Sequence, residues 1–258
     1  MTNLANRTVS ALGLALVLAL PLPLSLAAQT PAAGLPPGVA ILDFDNGALV
    51  RAADYAPLGK GIADMLIADL AGNTTMRLVE REQLQAILQE IGLKEARRLD
   101  DRTAIEVGKL VGARYFLTGG FMVDQSGKMV MTARAINVET SELPYSVKIE
   151  GKSENVLDMI GELGAKINAG LKLPRVTVSA SSSGNQESKP TASTAAGKGD
   201  VSPQDQYRAF YLVSRSIEEQ DKKNYPAAMT LLRQALDIYP GYRRAELRLA
   251  SLQKIGGQ

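Results

Sequence analysis

Hydrophobic and polar residues alternate along residues 38–173 with the periods of strands and helices. Short apolar or strictly alternating runs predict five strands, over residues 39–44, 76–80, 115–123, 129–138 and 143–150, with a turn at residues 45–47. Apolar residues three and four positions apart predict helices over residues 58–70, 84–91, 103–112 and 153–167. Thr103 and Glu106 have capping-box spacing, which predicts that the third helix begins there. The order β-α-β-α-α-β-β-β-α predicts one α/β domain, a mixed sheet flanked by helices.

The composition of the chain changes after residue 173. Residues 174–202 are rich in Ser, Thr, Ala, Gly, Lys and Pro and contain almost no large apolar side chain. Such a segment buries too little surface to offset the entropy of ordering, so we predict a disordered linker. Ser202 followed by Pro203 is typical of a helix start. Residues 203–256 are therefore predicted to form a separate all-α domain.

Small, aromatic and apolar residues in this C-terminal segment have the spacing of the second half of a tetratricopeptide repeat, which is a helical hairpin. The first helix fits less well, because Arg215 and Glu219 occupy positions that are usually apolar. Ala at two positions allows two helices to approach closely, a Tyr fills the turn, and a Pro ends the second helix. We expect these residues to serve repeat packing or partner binding. Two interpretations stay open: the hairpin binds a partner protein, or it packs on its own α/β domain or self-associates. The seven matching positions are Leu212, Tyr225, Ala228, Leu232, Ala235, Leu236 and Pro240.

The N-terminus has the pattern of a secretory signal peptide. A short polar stretch with one positive charge precedes an apolar run that ends in small residues, which predicts a signal peptide over residues 1–27. Residues 28–37 then form a flexible lead. The alternative is an uncleaved membrane anchor. The apolar run is interrupted by Pro21 and Pro23 and is shorter than the roughly twenty residues that a spanning helix needs.

Composition excludes several kinds of site. The chain contains neither Cys nor His, which removes disulfides, thiolate nucleophiles, a lipobox cysteine and the commonest general base. Asp43 and Asp45 are the one close carboxylate pair in a candidate loop; a cation site or an acid–base pair is possible, but we interpret them as a turn cap. Glu80 and Arg81 are interpreted as an ion pair or cap. We expect no catalytic residue, no cofactor and no metal, hence no enzyme.

A net charge of +2 and the absence of a basic stripe argue against a nucleic-acid partner. Lys and Arg alternate with Asp and Glu along the predicted helices, which is typical of a solvated face. We therefore expect no nucleic-acid partner, and the partner expected from the predicted repeat is a protein.

The α/β domain resembles the CsgG-like family, named for the curli secretion component, from residue 39 to residue 171. The resemblance rests on four segments in the family's order: GIADMLIADLAG (61–72), RLVEREQL (77–84), VGARYFLTG (111–119) and RAINVETS (134–141). It implies a periplasmic scaffold that binds protein partners. The family also includes outer-membrane activators of penicillin-binding proteins.

Two departures limit what the resemblance implies. The family's pore has a long membrane-inserting hairpin between the strands that here end near Val123 and begin near Met129, and only residues 124–128 fill that place. The acylated cysteine of the pore protein is also missing. We therefore expect a non-enzymatic periplasmic scaffold, with possible homo-oligomers and peripheral outer-membrane association. The alternatives are an accessory component of a curli-type secretion apparatus and an outer-membrane activator of peptidoglycan synthesis.

We expect the mature protein to be extracted from the periplasm without detergent and to lack residues 1–27, because a signal peptidase cuts after the small residues that follow the apolar run. Cell fractionation followed by N-terminal sequencing measures both properties. Recovery only from detergent-solubilised membranes, with Met1 to Leu26 still attached, contradicts the expectation.

Overall fold

The computed structural model describes residues 36–73, 75–93, 99–171 and 201–256. The predicted signal peptide and residues 174–200 of the predicted linker lie outside the described residues. From Pro36 onward, the described residues form one compact unit. None of the helices within these ranges is long and apolar enough to cross a membrane.

Six strands form one mixed sheet. β1, β2 and β3 are parallel to their neighbours, whereas β5 is antiparallel to both β4 and β6. The spatial order is β3-β1-β4-β5-β6, and β2 pairs with β4. β2 lies where the sequence predicts a turn. The strands are β1 (Gly38–Ile41), β2 (Asp45–Asn46), β3 (Arg77–Leu78), β4 (Tyr115–Val123), β5 (Lys128–Asn137) and β6 (Tyr145–Lys152).

Helices cover both faces of the sheet and follow it at the C-terminus, so the predicted fold class is confirmed. The capping-box prediction is wrong, because the Asp100 side chain accepts a hydrogen bond from the Thr103 N–H (2.8 Å) and the helix begins two residues before Thr103. The helices are α1 (Ala52–Tyr55), α2 (Leu58–Leu70), α3 (Arg81–Glu90), α4 (Asp101–Leu110), α5 (Val156–Gly170), α6 (Pro203–Asp221), α7 (Tyr225–Ile238) and α8 (Arg243–Gly256), with a 3-10 turn at Ser153–Asn155.

Two hydrophobic cores lie on the two sides of the sheet. The smaller core joins the sheet, through Phe116 and Ile136, to α3 and α4. The larger core contains Leu117 and Met131 from the opposite side of the same strands, together with α2 and α5. Side chains of α6, α7 and α8, such as Phe210 and Leu232, belong to this larger core as well. The C-terminal helices thus pack on the α/β domain, which is the arrangement of the second interpretation above.

Helix α2 is packed closely on two opposite sides. Toward the sheet, a Cβ placed on Gly59 would overlap the carbonyl oxygen of Phe44. The Gly59 carbonyl also accepts a hydrogen bond from the Phe44 N–H at 3.1 Å. Toward the C-terminal helices, a Cβ on Gly61 would overlap the hydroxyl of Ser214 and lie 2.9 Å from the ring of Phe210. The two glycines therefore allow α2 to lie between the sheet and α6.

Replacing Gly59 with Ala should lower the free energy of unfolding by about 1–3 kcal/mol, because a backbone oxygen cannot move away without shifting β1 or α2. Gly72→Ala is the matched control: Gly72 follows the same helix, and a Cβ there meets nothing within 4 Å. Urea unfolding of both variants measures the difference. Equal free energies of unfolding for the two would show that α2 tolerates a larger distance from the sheet.

Candidate functional site

Six of the seven residues of the predicted repeat lie in or against the hydrophobic core of the C-terminal helices. Ala228, Leu232 and Ala235 on α7 are completely buried. Leu212 of α6 and Tyr225 and Leu236 of α7 are partly buried against the same core. Pro240 is exposed in the turn that follows α7. The structure therefore assembles six of the seven positions around the helix contacts and places the seventh at the end of α7.

Local capping explains where the C-terminal helices begin and end. The Ser202 hydroxyl accepts from the Asp205 N–H at 3.1 Å, so α6 begins at Pro203 as predicted. Gly241 adopts a positive φ of 78° in the turn between α7 and α8, a conformation that favours glycine. This turn brings the rings of Tyr239 and Tyr242 into a stack with centroids 5.2 Å apart.

The contact between α2 and helices α6–α8, called the docking interface below, contains a buried carboxylate held by two arginines. Asp64 of α2 has a side-chain exposure of 3%. It accepts hydrogen bonds from Nε of Arg244 at 2.6 Å and from Nε of Arg248 at 3.1 Å. Nη1 of Arg248 also donates to Oε1 of Gln220 on α6 at 2.9 Å. One carboxylate of α2 thereby connects α2, α6 and α8.

The protonation of Asp64 depends on this pairing. Burial by itself raises the pKa of a carboxyl group. Arg248 and Arg244 outweigh burial by charge and hydrogen bonding, and they hold the pKa of Asp64 far below its ordinary value. Tyr242 is fully buried beside α2, and its hydroxyl lies 3.6 Å from the sulfur of Met65. Burial raises the pKa of this phenol, so Tyr242 stays neutral.

A second ion-pair network crosses the docking interface at the end of β1. Arg81, the first residue of α3, donates to Asp43 at 2.9 and 3.1 Å and to Asp221 of α6 at 2.8 and 3.0 Å. Lys60 of α2 pairs with the same Asp221. Burial lowers the pKa of an arginine, but Asp221 and Asp43 reverse that effect and raise the pKa of Arg81. The guanidinium is therefore always charged.

These contacts correct the interpretation of Asp43 and Asp45. Asp43 accepts from Arg81 in a buried ion pair and does not act as a turn cap. Asp45 belongs to β2, opposite Gly120 of β4. The ion-pair interpretation of Arg81 agrees with the structure. Among the described residues, no three Asp or Glu side chains are grouped so that they could hold a metal ion.

Sequence reasoning missed most of the docking interface. Asp64, Asp221, Arg244 and Arg248 each lie on a helix, where a charged residue is ordinarily exposed. One signal was available: Asp64 interrupts the apolar run GIADML, where a charge is unexpected. The identity of its partners, 180 and 184 positions away, could not be obtained from local periodicity.

A groove of about 370 Å³ lies on the open part of the sheet, above β4, β5 and β6. Its floor contains Gly120 and the hydroxyls of Thr118, Thr132 and Ser146. Arg134 lines the groove, donates to the Thr118 hydroxyl at 3.0 Å and pairs with Asp101 at 2.9 Å. The Thr132 hydroxyl donates to the Gly120 carbonyl at 3.5 Å.

Residues 23–123 match the family described as "Curli production assembly/transport component CsgG". This match confirms the resemblance to the CsgG family over that range. It ends at the last residue of β4, so β5, β6 and the C-terminal helices lie beyond it. Among curated proteins, none matches the chain.

Several solved structures are similar to about half of the chain. The LpoB C-terminal domain from Salmonella enterica has a TM-score of 0.35 and 20% sequence identity, covering 48% of this chain and 88% of its own. The PelC dodecamer from Paraburkholderia phytofirmans has a TM-score of 0.35 and 16% sequence identity, and the match covers 56% of this chain and 94% of the PelC chain. A lipoprotein from Neisseria meningitidis has a TM-score of 0.38 and 11% sequence identity, and the match covers 53% of this chain and 95% of the lipoprotein.

Replacing Asp64 with Asn should destabilise the docking interface by about 3–5 kcal/mol, because two arginines whose side chains are only 19% and 11% exposed lose their counter-charge. The pH dependence should change as well. The folded-state pKa of Asp64 is lowered, so its contribution to stability is complete above its unfolded value of about 3.9 and is lost as pH falls below it.

Between about pH 5 and pH 2, the free energy of unfolding should therefore fall more steeply for the unaltered protein than for Asp64→Asn. Urea unfolding at several pH values measures both slopes. Glu106→Gln is a control, because the Glu106 side chain is 63% exposed and that of its partner Arg102 is 90% exposed. Parallel slopes for Asp64→Asn and the unaltered protein would rule out the pairing as the source of acid sensitivity.

Proposed function

We propose that this chain, whose residues 23–123 match the CsgG family, is a non-enzymatic scaffold of the cell envelope that binds a protein partner through helices α6–α8. The observation that carries the proposal is the burial of Ala228 and Ala235, which stand at positions where a tetratricopeptide repeat has the small residues that let its helices approach closely. Proteins built from such repeats act by presenting surfaces to other macromolecules.

The proposed location is the periplasm. It is supported by the predicted signal peptide at residues 1–27 and by the match to a family named for a curli assembly and transport component. Because the chain contains no cysteine, it has no site for lipid attachment of the lipobox kind. Association with the outer membrane is then peripheral and depends on protein contacts, including those in a homo-oligomer.

Two more specific roles fit this proposal. The family match favours an accessory role in a curli-type secretion apparatus. In the structure, residues 124–127 form a tight turn between β4 and β5, closed by the Asp124 N–H donating to the Lys128 carbonyl at 3.0 Å. An inserting hairpin is therefore absent at this position, which favours a role beside the apparatus. The second candidate role is activation of peptidoglycan synthesis at the outer membrane, which the family resemblance suggests.

Changing Ala228 to Asp should abolish partner capture, because a carboxylate would be buried without a partner where α6 and α7 touch, at a cost of several kcal/mol. The measurement is a pull-down from envelope extract with the tagged mature protein, with bound proteins identified by mass spectrometry. Ala250→Asp is the matched control, since Ala250 lies on the exposed side of α8.

Circular dichroism and urea unfolding of the same samples show whether α6–α8 have unfolded. Retained capture by an Ala228→Asp protein with unfolded C-terminal helices would assign partner binding to the α/β domain. Equal loss in both variants would indicate that added negative charge, and not the fold of the repeat, weakens capture.

A further inference from the structure

We propose that the face of α6–α8 turned toward α2 recognises a partner helix with the same side-chain pattern as α2, and that α2 is its built-in occupant. This inference rests on the proposed function and specifies the class of partner. The pattern consists of four positions of α2: Lys60, Gly61, Asp64 and Met65. On a helix these positions lie on one face. We call the opposing surface of α6–α8 the inner face.

The inner face selects a small residue at one position. Ser214 and Phe210 of α6 lie directly against Gly61, where a Cβ would overlap the Ser214 hydroxyl. That hydroxyl donates to the Phe210 carbonyl at 2.8 Å, within α6 itself. It therefore needs no hydrogen bond from the occupant. A helix with a larger residue at this position would be held away from α6.

The inner face requires an acidic residue of the occupant three positions after the small residue, where α2 has Asp64. Arg244 and Arg248 are four residues apart on α8, so both point from the same side of the helix. Their side chains are only 19% and 11% exposed, and both bind the carboxylate of Asp64. Two buried cations without a counter-charge are strongly unfavourable. The charge of the inner face thus selects a carboxylate at this point of the occupant.

The two remaining contacts determine the direction of the bound helix. Lys60, one turn before the acid, pairs with Asp221 at the end of α6. Met65, one residue after the acid, meets the hydroxyl of Tyr242 at 3.6 Å. A helix bound in the reverse direction would place its cation away from Asp221 and its methionine away from Tyr242. The inner face therefore distinguishes a Lys-Gly-x-x-Asp-Met helix from its reversed sequence.

Release of α2 from the inner face leaves the α/β domain supported. Gly59, Ile62 and Leu66 lie on the opposite side of α2 by the helical period, and Gly59 abuts Phe44 near the sheet. The released side of α2 carries the charged residues Lys60 and Asp64 together with two long apolar side chains, Leu58 and Met65. Its two charges make it the more polar side of the helix. The Arg81–Asp43 pair also remains intact, because both residues belong to the α/β domain.

Competition by α2 weakens the binding of any external helix, since the apparent affinity falls in proportion to the fraction of molecules with a free inner face. Asp64→Asn in the chain raises that fraction. It also leaves Arg244 and Arg248 in need of an acid that an external helix can supply. An external helix with the α2 pattern should therefore bind this variant better than it binds the unaltered protein.

The probe is a fluorescent peptide with the sequence of residues 57–71, added to the full mature chain and followed by anisotropy. We expect binding at least about tenfold tighter to the Asp64→Asn chain than to the unaltered chain, by removal of the competing occupant. A peptide with Asn in place of the acid should lose this binding. Equal affinity of both peptides, or of one peptide for both chains, would overturn the proposal.

A cross-linked protein tests the same face without Asp64→Asn, should that variant not fold. The chain has no cysteine, so the double variant Gly61→Cys with Ser214→Cys has a single cysteine pair that can form a disulfide. A Cβ on Gly61 lies 2.9 Å from the Cβ of Ser214, and a small increase of this distance reaches disulfide geometry. The oxidised protein should not bind the peptide, and reduction should restore binding. Undiminished binding by the oxidised protein places the peptide elsewhere and contradicts the proposal.

The same cross-linked protein separates this proposal from the proposed function. Envelope capture by the reduced form but not by the oxidised form supports both. Equal capture by the two forms, lost in Ala228→Asp, retains the proposed function and overturns the inner face as the binding surface. Capture by none of these proteins overturns the proposed function, whereas the peptide measurements still decide what the inner face binds.

Discussion

The carboxylate of Asp64 lies between Arg244 and Arg248, and the relation between the two parts of the chain depends on it. Removing the acid would leave two buried cations, and removing the arginines would leave a buried anion; either change is more costly than the pair itself is stabilising. The ion pair therefore contributes specificity of position. It requires α8 to meet α2 at one register, while the surrounding apolar contacts tolerate small displacements.

Helix α2 is the element that both parts of the protein share. Its sheet side carries apolar residues and Gly59, and its other side carries Lys60, Gly61 and Asp64. An interface with this many charged groups resembles contacts between domains that associate reversibly more than it resembles a permanent core. This mixture explains how the C-terminal helices can belong to the same hydrophobic cluster as the α/β domain and still form a surface that a partner could compete for.

Local patterns were sufficient for the longer elements of the α/β part. β4 extends over residues 115–123, where alternation and apolar content predict it, and α2 covers the predicted residues 58–70. Short elements were harder: β2 has two residues, and its pairing with β4 depends on Gly120, a neighbour distant in sequence. α4 was predicted to begin at Thr103, but Asp100 is the capping residue: its carboxylate accepts a hydrogen bond from the Thr103 N–H, and the helix begins at Asp101.

The sequence by itself determined the fold class, the hairpin geometry of α6 and α7, and the small residues at their contact, because periodicity and residue size act over a few neighbours. Tertiary structure alone decided that the hairpin lies on α2, that Asp43 pairs with Arg81, and that Asp64 receives two arginines from α8. A charge on a helix is compatible with solvent or with a buried partner. Only the packing of distant segments removes the solvent and selects the partner.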